Sequence, residues 1–462
     1  MRSGKGGHGM TLLKKPTITE GKIVSAMLLF ALPIALSTLL QSLFSMADIV
    51  IVRMMADNIA VAAIGATAQI VSLIITSMVG IASGVNVILA RFVGAREDER
   101  CRRMVSTSLI TGLGIGVVCA LLCLLLHTPL LRLTDCPEEC FAGATTYLVI
   151  YALSAPLIMI YNFAATVLRV NGDTTSPSLY LVLSGAANVA VNVILCLLME
   201  DKVAAVAIST ALSQLLAATL AMRKLMKLDG PCRFSLRHLC FDFSLCTKIF
   251  WYGIPSAVVH AMYPISNLLI QTEINGWGAS AIAGSTAASN IFTIPSSVSG
   301  SLATATAVFA GQNIGAEQPE RVTKSITYGF LLGAGISGAL GVLVWIFGTP
   351  LSAIFVGSDA LAIEISMKKI FYTMLPYFVA ALNTVLNNVI TTFGYASFTM
   401  VKNILTTLVY RLFWMNLIYP LSPGPDLLFF CFTTSWAVDL LIGVAVFLVV
   451  LRRYRRGRLK AI

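Results

Sequence analysis

Between residues 23 and 452 the chain alternates long apolar runs with brief polar breaks. A helix rises about 1.5 Å per residue, so about 20 apolar residues cross a bilayer. Twelve runs are long enough: 24–52, 60–89, 104–127, 142–168, 176–199, 203–222, 247–272, 279–311, 325–348, 367–390, 398–420 and 427–451. The breaks are short except for 223–246, which is long, polar and basic. The pattern predicts an all-α integral membrane protein of twelve transmembrane helices in two six-helix bundles. Its parts are an N-terminal tail (1–22), an N-lobe (23–222), a linker (223–246), a C-lobe (247–451) and a basic tail (452–462).

Lysine and arginine set the orientation, because cytoplasmic loops carry the excess. The termini and the breaks after even-numbered runs hold 26 of the 32 basic residues. The opposite side holds Arg53, Arg132, Lys202, Lys368 and Lys369, and Arg411 falls inside a run. Both termini and the linker are therefore expected in the cytoplasm. Composition agrees with a membrane chain: 57% of residues are hydrophobic and 11% charged, against roughly 25% charged in a soluble domain; mean hydropathy is +0.85. The net charge of +11 sits in clusters between runs rather than along a stripe interleaved with aromatics, which argues against a nucleic-acid partner. The first run is too long for a signal peptide and is read as a helix that stays. The ten cysteines contain no CxxC pair; Cys136 and Cys140 share an outer loop and either bridge or, the favoured reading, stand as two free thiols on adjacent helical turns.

The two halves resemble each other. Residues 90–113, "ARFVGAREDERCRRMVSTSLITGL", and 311–334, "GQNIGAEQPERVTKSITYGFLLGA", share Gly-Ala, four residues, then Arg (Gly94, Ala95, Arg100 against Gly315, Ala316, Arg321). Six helices separate the copies, an even number, so the halves share a topology and are expected to be related by a pseudo-twofold axis along the membrane normal. The arginine-bearing loops are read as structural, with Gly at a helix C-terminus. Two lobes around a central cleft suit a transporter.

A few polar residues interrupt the apolar runs. Asp48 is an acid in an otherwise uncharged run from Ile23 to Val52, and an ionised carboxylate in hydrocarbon costs about 3 kcal/mol or more. It is either a coupling carboxylate that loads and releases protons or a structural acid satisfied by neighbours; Pro33, fifteen residues earlier, weakens the helix and is the candidate hinge. Asn188 and Asn192 lie four apart on one helix face and, with Thr210 and Gln41, either take part in coupling or serve as interhelical glue. Arg411 and Asp439 fall at similar depth by residue count and are expected to form a buried ion pair. His260, five residues after Pro255, titrates near neutrality or is a satisfied buried histidine. Tyr263, Asn267, Gln271, Asn383, Asn387 and Asn388 are candidates for a C-lobe cavity without a carboxylate.

Four stretches at these intervals, "QSLFSMADIV" after Pro33, "GAREDER", "LRVNGDTTSPSLY" and "GQNIGAEQPER", resemble the multidrug and toxic compound extrusion (MATE) transporters over residues 20 to 450, and most of all their prokaryotic DinF-like branch. The resemblance implies a V-shaped antiporter, without a cofactor, that exports cationic amphipathic drugs, toxins or metabolites in exchange for protons or sodium ions. It implies a monomer in the cell's inner membrane, and an N-lobe cluster of Gln41, Asp48, Tyr147, Asn188, Asn192 and Thr210. Many relatives carry a second Asp where this chain has Asn192, which weakens a sodium site at Asp48 because a hard cation gains most from anionic oxygens; protons are the favoured coupling ion. The alternative in the same superfamily is a flippase for lipid-linked oligosaccharides, which calls for more cations in the cleft. A membrane-embedded enzyme is disfavoured: the chain has four histidines, no HExxH and no GxSxG.

Overall fold

The structure, a computed structural model, describes residues 18–55, 58–134 and 136–457, excluding the side chains of 45–50, 52, 58, 133 and 238. Most of the expected N-terminal tail, the end of the C-terminal tail and the Asp48 side chain therefore lie outside the described residues.

The N-lobe comprises α1 (Ile23–Met55), α2 (Asn58–Gly94), α3 (Asp98–Leu133), α4 (Glu138–Leu153), α5 (Ala155–Val170), α6 (Thr175–Leu198) and α7 (Lys202–Met226). The C-lobe comprises α8 (Phe243–Asn275), α9 (Ala279–Gly315), α10 (Pro319–Ile346), the short α11 (Gly348–Val356), α12 (Ala360–Met374), α13 (Tyr377–Thr392), α14 (Ala396–Asn403), α15 (Tyr410–Phe413) and α16 (Pro425–Arg455). Among the described residues ten helices are long and apolar enough to span a membrane, and the count is twelve when the bent pairs α4–α5 (43°) and α12–α13 (48°) are each taken as one span. Each bend has a proline at or just after it, Pro156 and Pro376, where the missing N–H and the ring break the hydrogen-bond ladder. Pro33 is inside α1, which runs through it as one helix. Leucines such as Leu121, Leu125, Leu197 and Leu441 cover the outer faces, as a lipid-facing surface requires, while polar side chains gather inside.

The internal repeat is visible in the backbone. After α2, Arg96 N–H donates to Val93 O and Glu97 N–H to Phe92 O; after α9, Glu317 N–H donates to Ile314 O and Gln318 N–H to Asn313 O. This is the Schellman closure, and Arg96 (φ 56°) and Glu317 (φ 55°) are the two non-glycine residues with positive φ among those described. The same closure recurs after α5 at Gly172 and after α13 at Gly394. The glycine of the Gly-Ala pair ends its helix, as expected; the left-handed residue falls two positions later, and the glycine also permits close approach.

That approach joins the lobes. A Cβ on Gly94 would lie 1.9 Å from Gln312 O, and one on Gly315 would lie 2.0 Å from Arg91 O. The two contacts are reciprocal, since Arg91 corresponds to Gln312 and Gly94 to Gly315 in the repeat. Two hydrogen bonds cross the seam in the same reciprocal way: Arg91 Nη2 donates to Thr392 O at 2.6 Å, and Gln312 Nε2 donates to Val170 O at 2.5 Å. The seam lies on the side that carries the described chain ends, here the terminal side. Arg321 donates there to Gly21 O (3.1 Å) and Ile18 O (3.2 Å), strapping the start of the chain across to the C-lobe.

The linker is docked rather than loose. Leu228, Cys232 and Phe234 are buried in the N-lobe core, Asp242 N–H donates to Thr107 Oγ1 at 3.1 Å, and the Asp242 carboxylate then caps α8 through the N–H groups of Ser244 and Leu245.

Candidate functional site

In the N-lobe, α1 and α6 run in the same direction and touch where a Cβ on Gly185 would lie 2.2 Å from the Phe44 ring. Position 48 follows Phe44 by one helical turn, and Asn188 and Asn192 follow Gly185 by one and two turns. Asn188 is 6% exposed and Asn192 fully buried. Asn188 Nδ2 donates to Ser209 Oγ at 3.4 Å, and Asn192 Oδ1 accepts from Cys196 Sγ at 3.3 Å. Thr210 Oγ1 donates to Val206 O at 3.0 Å. Tyr147 stacks on Tyr151 with ring centres 6.2 Å apart, and Gln41 precedes position 48 by two turns of α1. Among the described residues, no group of three or more His, Cys, Asp or Glu gathers to hold a metal ion.

The C-lobe encloses a cavity of about 590 Å³, within the usual range for small-molecule sites. It brings together His260, Tyr263, Asn267, Gln271, Asn383, Asn387 and Asn388 with Lys369, Arg411 and Asp439. Phe292, Tyr377, Phe432 and Trp436 form an aromatic wall in mutual contact. His260 Nδ1 lies 2.8 Å from Ser256 O, to which it donates as Nδ1–H, and Asn383 Nδ2 donates to Trp436 O at 2.8 Å.

The span from Ala396 to Leu421 lining this cavity is irregular. Between α14 and α15 the backbone widens to a π-helix over Ile404–Val409, and again over Trp414–Ile418. π-Turns exchange i→i+4 for i→i+5 bonding and recur at functional sites. Ser266 of α8 braces the first one: its hydroxyl donates to Thr407 O at 3.1 Å and accepts from Arg411 Nη1 at 3.0 Å. Arg411 Nη1 also donates to Asn267 Oδ1 at 3.0 Å, and the guanidinium carbon sits 4.4 Å above the Phe432 ring.

The expected Arg411–Asp439 ion pair does not form. Asp439 Oδ1 accepts from Lys402 Nζ at 2.7 Å and from the Thr406 hydroxyl, and the side chains of the pair are 0% and 6% exposed. Lys402, counted from sequence with the terminal-side loops, is buried instead, nine residues ahead of Arg411 and on the other side of the π-helix Ile404–Val409. Lys369, read as an outer-loop residue, also faces inward, donating to Ser285 O (3.1 Å), Ser285 Oγ (2.9 Å) and Ser289 Oγ (2.7 Å). Its neighbour Lys368 points away, toward Glu364 and Asp426, each at 3.2 Å. Consecutive residues on a helix cannot share a face, so the KK pair divides between surface and cavity.

The chain matches the MatE family model over residues 33–198 and 255–414, one segment in each lobe. It is 27% identical over 357 residues to the probable multidrug resistance protein YoeA of Bacillus subtilis, covering 75% of this chain and 77% of that protein. It is 26% identical to the probable multidrug resistance protein YpnP of the same organism, covering 83% and 85%. Among solved structures, a MATE protein in complex with MaL6 superposes with a TM-score of 0.88 at 20% identity, over 96% of this chain and 100% of that one. A MOP-superfamily transporter from Pyrococcus furiosus, described as having a binding pocket of reverse polarity that suggests a different function, superposes at 0.85 with 20% identity, covering 95% and 99%. With a family match spanning both halves and the same two-bundle fold, this chain belongs to the MATE family of multidrug efflux transporters.

Proposed function

We propose that the protein is a secondary-active exporter that moves amphipathic organic molecules out of the cell against inward protons, by alternating access of its two lobes. The observation that carries this reading is the reciprocal seam: Gly94 and Gly315 seated on the opposite lobe's backbone, with Arg91 and Gln312 bonding across it. Each cross-lobe hydrogen bond is worth only about 0.5–1.5 kcal/mol net, so such a seam closes one side firmly yet can part when an ion or cargo binds. Both termini, and with them the seam, are assigned to the cytoplasmic side by the lysine and arginine bias. One chain supplies both lobes, so a monomer suffices.

Asp48 is the proposed coupling carboxylate. A carboxylate in an otherwise uncharged apolar run is costly to keep without a task, and Asn188 and Asn192, four apart on α6, offer neutral donors and acceptors for the cluster that the resemblance implies. Protons are preferred to sodium because Asn192 contributes no charge to a cation site. Pro33 is the proposed hinge through which protonation rebends α1. With Asp48→Asn, export should lose its dependence on the ion gradient; coupled export at the wild-type rate would remove Asp48 from the mechanism.

The relatives' names speak of multidrug resistance, and the resemblance implies organic cations as cargo. The C-lobe cavity offers a cation little: its lining carboxylate, Asp439, is already neutralised by Lys402. The flippase reading gains from Lys369 and Lys402, two inward cations beyond Arg411, but Lys402 is consumed by its own ion pair.

A further inference from the structure

The charges in and against the C-lobe cavity do not balance: three cations, Lys369, Lys402 and Arg411, stand against one carboxylate, Asp439. Asp439 is committed to Lys402 and Thr406. Among the described residues, the hydrogen bonds of Lys369 go to neutral serine oxygens. Arg411 is 1% exposed, its bonds go to neutral Ser266 and Asn267, and its Nε is buried with no partner among the described residues. The nearest acid on α8, Glu273, is outside the lining and accepts from the Tyr419 hydroxyl at 3.0 Å.

Both uncompensated cations line this one cavity. Lys369 Nζ stands 6.0 Å from the centre of the Phe429 ring and the Arg411 guanidinium 4.4 Å from that of Phe432. Those phenylalanines are three residues apart on α16, neighbours on one helix face. A buried charge without a counter-charge is costly, and a guanidinium with free N–H donors is suited to a planar oxyanion. The aromatic wall beside it supplies an apolar surface for a ring or chain.

We propose that the C-lobe cavity binds an amphipathic organic anion, its carboxylate, sulfonate or phosphate held by Lys369 and Arg411 and its apolar body on Phe292, Tyr377, Phe432 and Trp436. The direction in which such a molecule moves rests on the exporter reading; its binding does not. The anionic head could belong to a free metabolite or drug, or to a membrane phospholipid.

The test is calorimetric binding to the full chain in phosphatidylcholine nanodiscs, with no ion gradient. The probes are 1-naphthylacetate and 1-naphthylmethylammonium, alike in ring and opposite in charge. The anion is expected to bind at least about tenfold more tightly than the cation, and Lys369→Gln and Arg411→Gln are each expected to weaken it about tenfold, while Lys369→Arg keeps most of the affinity. Lys369 borders the cavity on a regular helix, so its variants remain informative if Arg411→Gln fails to fold. Displacement of the anion by short-chain phosphatidylglycerol identifies a lipid source, and no displacement identifies a free organic anion. Cation binding as tight as anion binding, or anion affinity unchanged in Lys369→Gln, overturns the proposal. Either result leaves the exporter reading standing, and a failure of gradient-driven export leaves a positive binding result intact.

Discussion

At the scale of single residues, the C-lobe chemistry turns on which cation serves Asp439. Removing one partner of a buried ion pair strands the other charge, at about 3–5 kcal/mol. Lys402→Met should therefore lower the melting temperature sharply, and adding Asp439→Asn should restore much of the loss. In a double-mutant cycle with Asp439→Asn, the coupling energy should be large for Lys402→Met and smaller for Arg411→Met; equal or reversed couplings would contradict the pairing seen here. The cavity amides were legible in the sequence because polar residues at helical spacing stand out in an apolar run, whereas the aromatic wall was not, because aromatic residues facing lipid look the same in sequence. Lys369 and Lys402 were not, because a lysine near a helix end ordinarily snorkels outward, and only packing reveals that these two turn in.

At the scale of elements, hydropathy marked all twelve spans, because a bilayer demands length and apolarity whatever the packing. It could not mark where a span deviates. Placing Arg411 opposite Asp439 by counting residues assumes regular α-helix, and the π-turn over Ile404–Val409 changes both the rise and the facing of everything after it. How the linker packs was likewise not legible: its charges dominate its composition, yet Cys232 and Phe234 are buried. In the folded protein a maleimide should label Cys240, which is partly exposed, and spare Cys232, which is buried. Mass spectrometry of the labelled protein checks this, and comparable labelling of both thiols would mean that the linker is undocked.

At the scale of the whole molecule, duplication was readable from the Gly-Ala and arginine spacing, but what the repeated glycine does was not. Its role depends on the other lobe's backbone lying within 2 Å of where a side chain would begin. Gly94→Leu should force the terminal side apart without touching either cavity. Spin labels across that side should report a longer distance distribution than in the wild type, and an unchanged distribution would show that the seam is not tight. Arg91→Ala combined with Gln312→Ala should shift the same distribution more modestly, since it removes two hydrogen bonds and no volume is added.

The most direct measurement of the central claim is uptake of the two naphthyl probes into inverted membrane vesicles carrying the wild-type chain or Asp48→Asn, with a pH gradient and a sodium gradient imposed separately. Coupled export predicts that the pH gradient drives at least one probe inward against its concentration in the wild type and not in Asp48→Asn. Accumulation that responds to neither gradient would contradict ion-coupled transport by this protein.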